Sequence, residues 1–455
     1  MKLLFYVQPQ IEEGMPLFRL PMVEQFVLPF VAALQNSLYR GKFEFHLATN
    51  SFLLDTVTMP EIQKHRIEAG QDFSATIGDI QPDIILCPGS FPELRAAFPT
   101  TLILHVEYSV FSRLPYPATV YFDPIDMMGH HNFLNAYAEH IERTEPDERE
   151  SMLLHSMKRM IKCHIASTNP YHDFMQHYRS KAHSVNEFRA IVLLPLGGGD
   201  SASLLARINT VMTTVPADVG VIVTTHPDRN YLRHGAMAAM MKRFPNLIWS
   251  PEFENIANQS AYLIQCADGL IIYESTSVIF QALIWDIPVL YMDNFKGVVR
   301  GFDFGGDWGH NYFDLCNCRV HEKFNSNILF WLLTRYAVHS DYFLDGVWFG
   351  EFLERCFERW QRFMFVDADD FCNFFAMIDT PEKVMNKIAA DVKRFPPVQT
   401  TASHWSHDKL VQTVLEFEKI IAGQKELLEK LGIDWEQFDE NQGDRTYENR
   451  LLFSH

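Results

Sequence analysis

The chain has 455 residues, 47% of them hydrophobic and 21% charged, with a formal net charge of −18. That length exceeds one hydrophobic core and predicts two domains of about 200 residues each. The acidic balance excludes a general nucleic-acid binder, which needs a basic surface to meet phosphates, although a local cationic pocket for a small phosphorylated ligand stays open. There is no apolar run of about 18 residues to span a bilayer, and the opening MKLLFYVQPQ reads as a strand with no cleavage-like site after it, so a cytoplasmic location is expected. Seven cysteines, at 87, 163, 266, 316, 318, 356 and 372, lie mostly inside apolar segments, the pattern of reduced, buried thiols. Cys316 and Cys318 form the one close pair, and without a second pair no metal site is expected.

Residues 3–7 (LLFYV) start a strand, and a loop and an amphipathic helix follow. FEFHLAT at 43–49, DIILCPG at 83–89 and TLILHVE at 101–107 are further strands, each ending in a polar or Gly/Pro turn. Strands alternating with helices predict a parallel sheet whose ligands sit beyond the carboxyl ends of the strands. Gly89-Ser90 and the run His105 to Ser109 are therefore expected to face a cleft.

The stretch 132–183 is helical and charged, a bridge to a second domain that opens with the buried strand AIVLLPL at 190–196. Gly197-Gly198-Gly199-Asp200-Ser201 then turns into a helix. GVIVTTHP at 220–227 and NLIWSP at 246–251 are the next strands. Between the strands Gly269 to Tyr273 and Val289 to Tyr291, Glu274-Ser275-Thr276-Ser277 supplies capping hydroxyls for a helix through Val278, Phe280, Ala282 and Leu283. Orphan N–H groups and the dipole at such a helix start form a phosphate site, although an ordinary capped helix has the same look. Phe302 to His310 is a Gly-rich loop, 324–364 and 367–393 are helical and rich in aromatics, and 406–431 is a long amphipathic helix before a polar tail. The expected division is 1–183, 184–400 and a tail at 401–455.

Reactive side chains fall at strand ends: His105 and Glu107, Asp200 after the glycines, His226 before a proline, and the turn 274–277. Each has a structural alternative, since Glu107 can pair with Arg113 and Asp200 can cap a helix.

In order along the chain, these segments resemble the two-domain GT-B glycosyltransferases of bacterial capsule and lipopolysaccharide synthesis, most closely the retaining β-Kdo transferases that use CMP-Kdo. Glu107 to Arg113, with the stretch Pro117 to Gly129 containing Asp123, is similar to that family's Glu-Asp-Gly-Phe-Leu-Arg-Ser segment and its sequel. Gly199-Asp200-Ser201 resembles its Gly-Asp-x-Ser turn, and His226-Pro227 its His-Pro pair that contacts the cytidine nucleotide. Thr276 to Leu283 resembles its Thr-Ser…Glu-Ala-Leu segment, and Phe304 to Gly309 its aromatic Gly-Trp-Gly loop. The matches run from 101 to 309. Departures are Tyr108-Ser109 after the glutamate, Gln281 for the helix glutamate, and Asp307 within the Gly-Trp-Gly loop. The segment 268–295 with the following RGFDFGG is also similar to CDP-glycerol glycerophosphotransferases.

The resemblance implies a GT-B fold, two Rossmann-like domains facing across a cleft, followed by C-terminal helices. It implies Asp200 as nucleophile and Glu107 as acid/base. His226, Pro227, Gly198, Gly199, Glu274, Ser275, Thr276 and Ser277 would hold nucleotide and phosphate, and Arg113, Arg229, His105 and Ser201 the sugar or acceptor. The implied partners are a nucleotide-sugar donor and a glycan or glycolipid acceptor, with no cofactor and no nucleic acid, and with peripheral contact at the inner membrane face. Inverting glycosyl transfer, glycerophosphate transfer and a non-catalytic assembly subunit are the alternatives.

Overall fold

Continuous apolar runs bounded by turn residues suit strands buried on both faces, and they become the two sheets of the chain. The computed structural model describes residues 1–8, 20–67, 76–88, 92–108, 119–124, 137–174, 176, 188–197, 201–225, 234–255, 258–273, 276, 278–291, 322–363 and 380–392. In the first sheet are β1 (Lys2–Tyr6), β2 (Glu44–Thr49), β3 (Ile62–Arg66), β4 (Ile84–Cys87), β5 (Leu102–Tyr108) and β6 (Thr119–Asp123). In the second are β7 (Ala190–Pro195), β8 (Val219–Thr224), β9 (Leu247–Ile248), β10 (Gly269–Ile272) and β11 (Val289–Tyr291). A last short strand, β12 (Val338–His339), belongs to the first sheet again.

The strand orders are β12-β6-β5-β4-β1-β2-β3 and β11-β10-β7-β8-β9. Numbering the strands within each half, both read third, second, first, fourth, fifth, with parallel pairing throughout those five. That is the doubly wound, Rossmann-like order. The expectation of an α/β protein made of two such halves is thus met. The first sheet adds β6 antiparallel to β5, and β12 antiparallel to β6.

Helices form where apolar residues recur on one face. In Ser201–Thr214 the buried positions are Leu204, Ile208, Val211 and Met212, one stripe against the second sheet. Helix Glu148–Thr168 starts at a capping box, in which Asp147 accepts from the Glu150 N–H and the Glu150 carboxylate accepts from the Asp147 N–H. Its buried stripe, Leu154, Met157, Ile161 and Ile165, joins the core of the second half.

The chain crosses back after β11. Residues Ile328 to Leu333 and Tyr336 lie in the second core. Two residues later β12 pairs with β6, and helix Gly346–Phe363 packs Phe349, Phe352, Leu353, Cys356 and Trp360 into the first core. Phe349 meets Phe30 at 4.8 Å between ring centres, and Phe352 meets Phe122 at 5.2 Å. The close approach of this helix to Leu28–Gln35 depends on a missing side chain. A Cβ on Gly346 would stand 1.9 Å from the Ala33 carbonyl oxygen, an atom that cannot rotate aside. Gly346→Ala is expected to lower unfolding free energy by about 1–3 kcal/mol through overpacking, outweighing the better helix propensity of alanine. Urea denaturation measures this, and an unchanged midpoint would mean that the two helices separate at no cost.

Candidate active site

In an open parallel sheet the ligand crevice lies beyond the carboxyl ends of two neighbouring strands whose connections run in opposite directions. The first sheet reverses between β1 and β4, and the second between β7 and β10.

In the first half, Cys87 ends β4 and is in register with His105 on β5, which is in register with Asp123 on β6. Residues opposite one another share a face, and alternation along β5 puts Glu107, opposite Tyr121, on that face too. His105 is buried, 7% exposed, with Nδ1 3.5 Å from the Cys87 Sγ. Glu107, two residues nearer the carboxyl end, is half-buried. The row ends on a carboxylate with no exposure: Asp123 accepts from the Tyr137 hydroxyl at 2.8 Å and from the Tyr336 hydroxyl at 2.6 Å. Burial first, and then the neighbouring Asp123, pushes the Tyr336 hydroxyl well above its usual range, so it remains a donor.

In the second half, β7 ends at Pro195, the Leu196 N–H still reaches the Thr224 carbonyl at 2.9 Å, and Gly197 turns the chain with φ of 71°, a left-handed value that favours glycine. The next described residue, Ser201, opens helix Ser201–Thr214 and is half-buried. From two turns into that helix Arg207 reaches back, its Nη1 donating to the Leu196 carbonyl at 2.6 Å and its guanidinium lying 5.5 Å from the centre of the Tyr273 ring. Tyr273 directly follows β10, so Arg207 sets a fixed positive charge where β7 and β10 both end. Thr276 precedes helix Val278–Trp285 and its Oγ1 accepts from the Val278 N–H at 3.4 Å, a capping contact at the long end of the range.

One strand over, the Thr224 and Ser260 hydroxyls lie 2.7 Å apart, and Gln259 Nε2 donates to both the carbonyl and the hydroxyl of Thr225. Arg207 and Gln259 carried no signal in the sequence. Arg207 is one polar position among several on an amphipathic helix, and Gln259 opens a helix of five residues.

Of the residues singled out from the sequence, the fold brings Ser201 and Thr276 to one switch point, and His105 and Glu107 to one face of the other sheet. Gly198, Gly199, Asp200, His226, Pro227, Arg229, Glu274, Ser275, Ser277 and Arg113 lie outside the described residues, as do Gly89-Ser90, the loop Phe302 to His310 and the segment 406–431. Among the described residues no group of three or more His, Cys, Asp or Glu side chains is arranged to hold a metal ion, and no helix is long and apolar enough to cross a membrane.

No protein-family model matches the sequence, and no curated protein does. Among solved structures the chain is similar to the β-Kdo 2,7 transferase of Thermosulfurimonas dismutans KpsC, at 15% identity over 74% of this chain and 92% of that one, with a TM-score of 0.37. It is similar to the β-Kdo 2,4 transferase of the same KpsC at 14% identity over 62% and 90%, with a TM-score of 0.33. It is similar to a variant of the wall teichoic acid polymerase TagF at 10% identity over 79% and 90%, with a TM-score of 0.27.

Proposed function

We propose that the chain is a glycosyltransferase of surface-polysaccharide synthesis that takes a sugar of the Kdo type from a cytidine-nucleotide donor. The observation that carries the reading is the adjacency of β7 and β10, which brings the ends of the turns 197–201 and 273–278 and the Arg207 guanidinium to one crevice. Helix-start N–H groups, the Thr276 hydroxyl and a fixed cation are the donors that a leaving phosphate needs.

In the proposed reaction a carboxylate oxygen of Asp200 bonds to the anomeric carbon as the bond from that carbon to the phosphate oxygen breaks, and CMP departs with the electron pair. An acceptor hydroxyl then attacks the same carbon, the bond to Asp200 breaks, and Glu107 takes the hydroxyl proton. The two carboxylates belong to opposite halves, so closure of the halves assembles the site.

A melting panel with CMP, UMP and CDP-glycerol tests the nucleotide class. CMP is expected to raise the melting temperature, since binding at about 100 times Kd adds about 2.7 kcal/mol of stability. Absence of any shift with cytidine nucleotides sinks the reading. Incubation with CMP-Kdo and no acceptor is expected to leave a glycosyl adduct on Asp200. Turnover of CDP-glycerol in place of CMP-Kdo moves the assignment to glycerophosphate transfer.

A further inference from the structure

Gln259 stands beside the carboxyl end of β8 with its amide held in one orientation. Its Nε2 donates to the Thr225 carbonyl oxygen and to Thr225 Oγ1, both at 3.1 Å. A carbonyl oxygen only accepts, so turning the amide over would set two acceptors against each other. Its Oε1 is therefore the atom directed away from the Thr225 carbonyl. That oxygen is buried in a residue only 3% exposed, and it has no hydrogen-bond partner among the described residues. The hydroxyl of the adjacent Ser260 lies against Thr224 Oγ1 and makes no hydrogen bond to this oxygen.

An interior acceptor without a donor is costly, and of the buried unpaired polar atoms among the described residues this one stands beside the carboxyl end of a strand of the second sheet, where a ligand can bring a donor. In a Rossmann-like half the phosphates sit at the turn after the first strand and the nucleoside extends toward the end of the second. Here those strands are β7 and β8. Thr225, the residue that fixes the Gln259 amide, is followed directly by His226-Pro227.

We infer that Gln259 reads the base of the donor nucleotide, its Oε1 accepting a hydrogen bond from the exocyclic amine of cytosine. This rests on the cytidine-nucleotide reading above and adds the group that enforces it. Uracil carries a carbonyl oxygen where cytosine carries the amine, and two acceptors would then meet in a dry site. Adenine also presents an amine, but on a two-ring base of different reach.

The test needs no mutation. Calorimetric titration of the full chain with CMP, UMP, AMP and the 4-deamino analogue of CMP, a pyrimidin-2-one ribotide, isolates the amine. CMP is expected to bind at least about 10-fold more tightly than UMP and the analogue, which is what loss of one buried hydrogen bond produces. Gln259→Met, with an unchanged circular dichroism spectrum, is expected to bring CMP and UMP within about 3-fold of each other. If CMP binds and the analogue binds equally well, a water serves Oε1, the inference falls and the cytidine reading stands. AMP binding as tightly as CMP overturns the assignment to cytosine. If CMP does not bind at all, the cytidine reading itself has failed.

Discussion

Glu107→Gln is expected to lower sugar transfer by about 10²–10⁴-fold, the range that a positioned acid or base contributes, while CMP still raises the melting temperature as in the unaltered protein. Glutamine keeps the size of the side chain and its place on β5, between a face shared with His105 and the carboxyl end of the strand. It removes only the ability to take a proton. The nucleotide is assigned to the other half of the chain, so its binding is expected to be indifferent to the change. Asp200→Ala is expected to abolish both the adduct and the turnover. The pair of variants separates mechanisms: an inverting enzyme would show no adduct in any form, and near-normal turnover in Glu107→Gln would remove that residue from the chemistry.

The two Rossmann-like halves were legible because their central strands are apolar throughout. AIVLLP in β7, VGVIVT in β8 and GLII in β10 are buried at every position, and such runs stand out from the helices between them. β3, with the sequence IQKHR, was not legible, since at the sheet edge only Ile62 is buried and charge is tolerated along the strand. β12 was invisible for another reason. Its two residues have no pattern of their own and are placed by pairing with β6, more than two hundred residues earlier in the chain.

The candidate site divides in the same way. The hydroxyls of Ser201 and Thr276 could be read because helix starts have a local chemistry. Arg207 is defined by contacts with Leu196 and Tyr273 on two different strand ends, and Gln259 by a contact with Thr225, 34 residues away. Periodicity reports which face a side chain takes, and it is silent on which distant backbone that face will meet.

Asp123→Ala is expected to lower unfolding free energy by about 2–6 kcal/mol, the cost of leaving two buried hydroxyl donors without an acceptor at about 1–3 kcal/mol each. Two hydroxyls lose their acceptor at once, Tyr137 from the connection that follows β6 and Tyr336 from the segment just before β12. Both rings are packed and cannot turn to solvent: Tyr336 stacks on Trp331 at 5.1 Å and on Tyr121 at 5.6 Å, and Tyr137 meets Trp331 at 5.1 Å. Asp123→Asn keeps one carbonyl oxygen as acceptor and offers an N–H to a hydroxyl that can rotate to receive it, so its loss is expected to be smaller than that of the alanine variant. Tyr137→Phe and Tyr336→Phe each remove one of the two bonds, and each is expected to cost about 1–2 kcal/mol. Because both share one acceptor, their effects are expected not to add, and a double-mutant cycle with urea unfolding reads the coupling. Tyr336 and Trp331 also lie in the core of the second half, while Asp123 ends a strand of the first sheet. Removing the carboxylate is therefore expected to loosen the coupling of the two halves in unfolding, seen as a broadened or split transition. A single sharp transition with unchanged midpoint in Asp123→Ala would show that the aromatic packing alone holds the crossing.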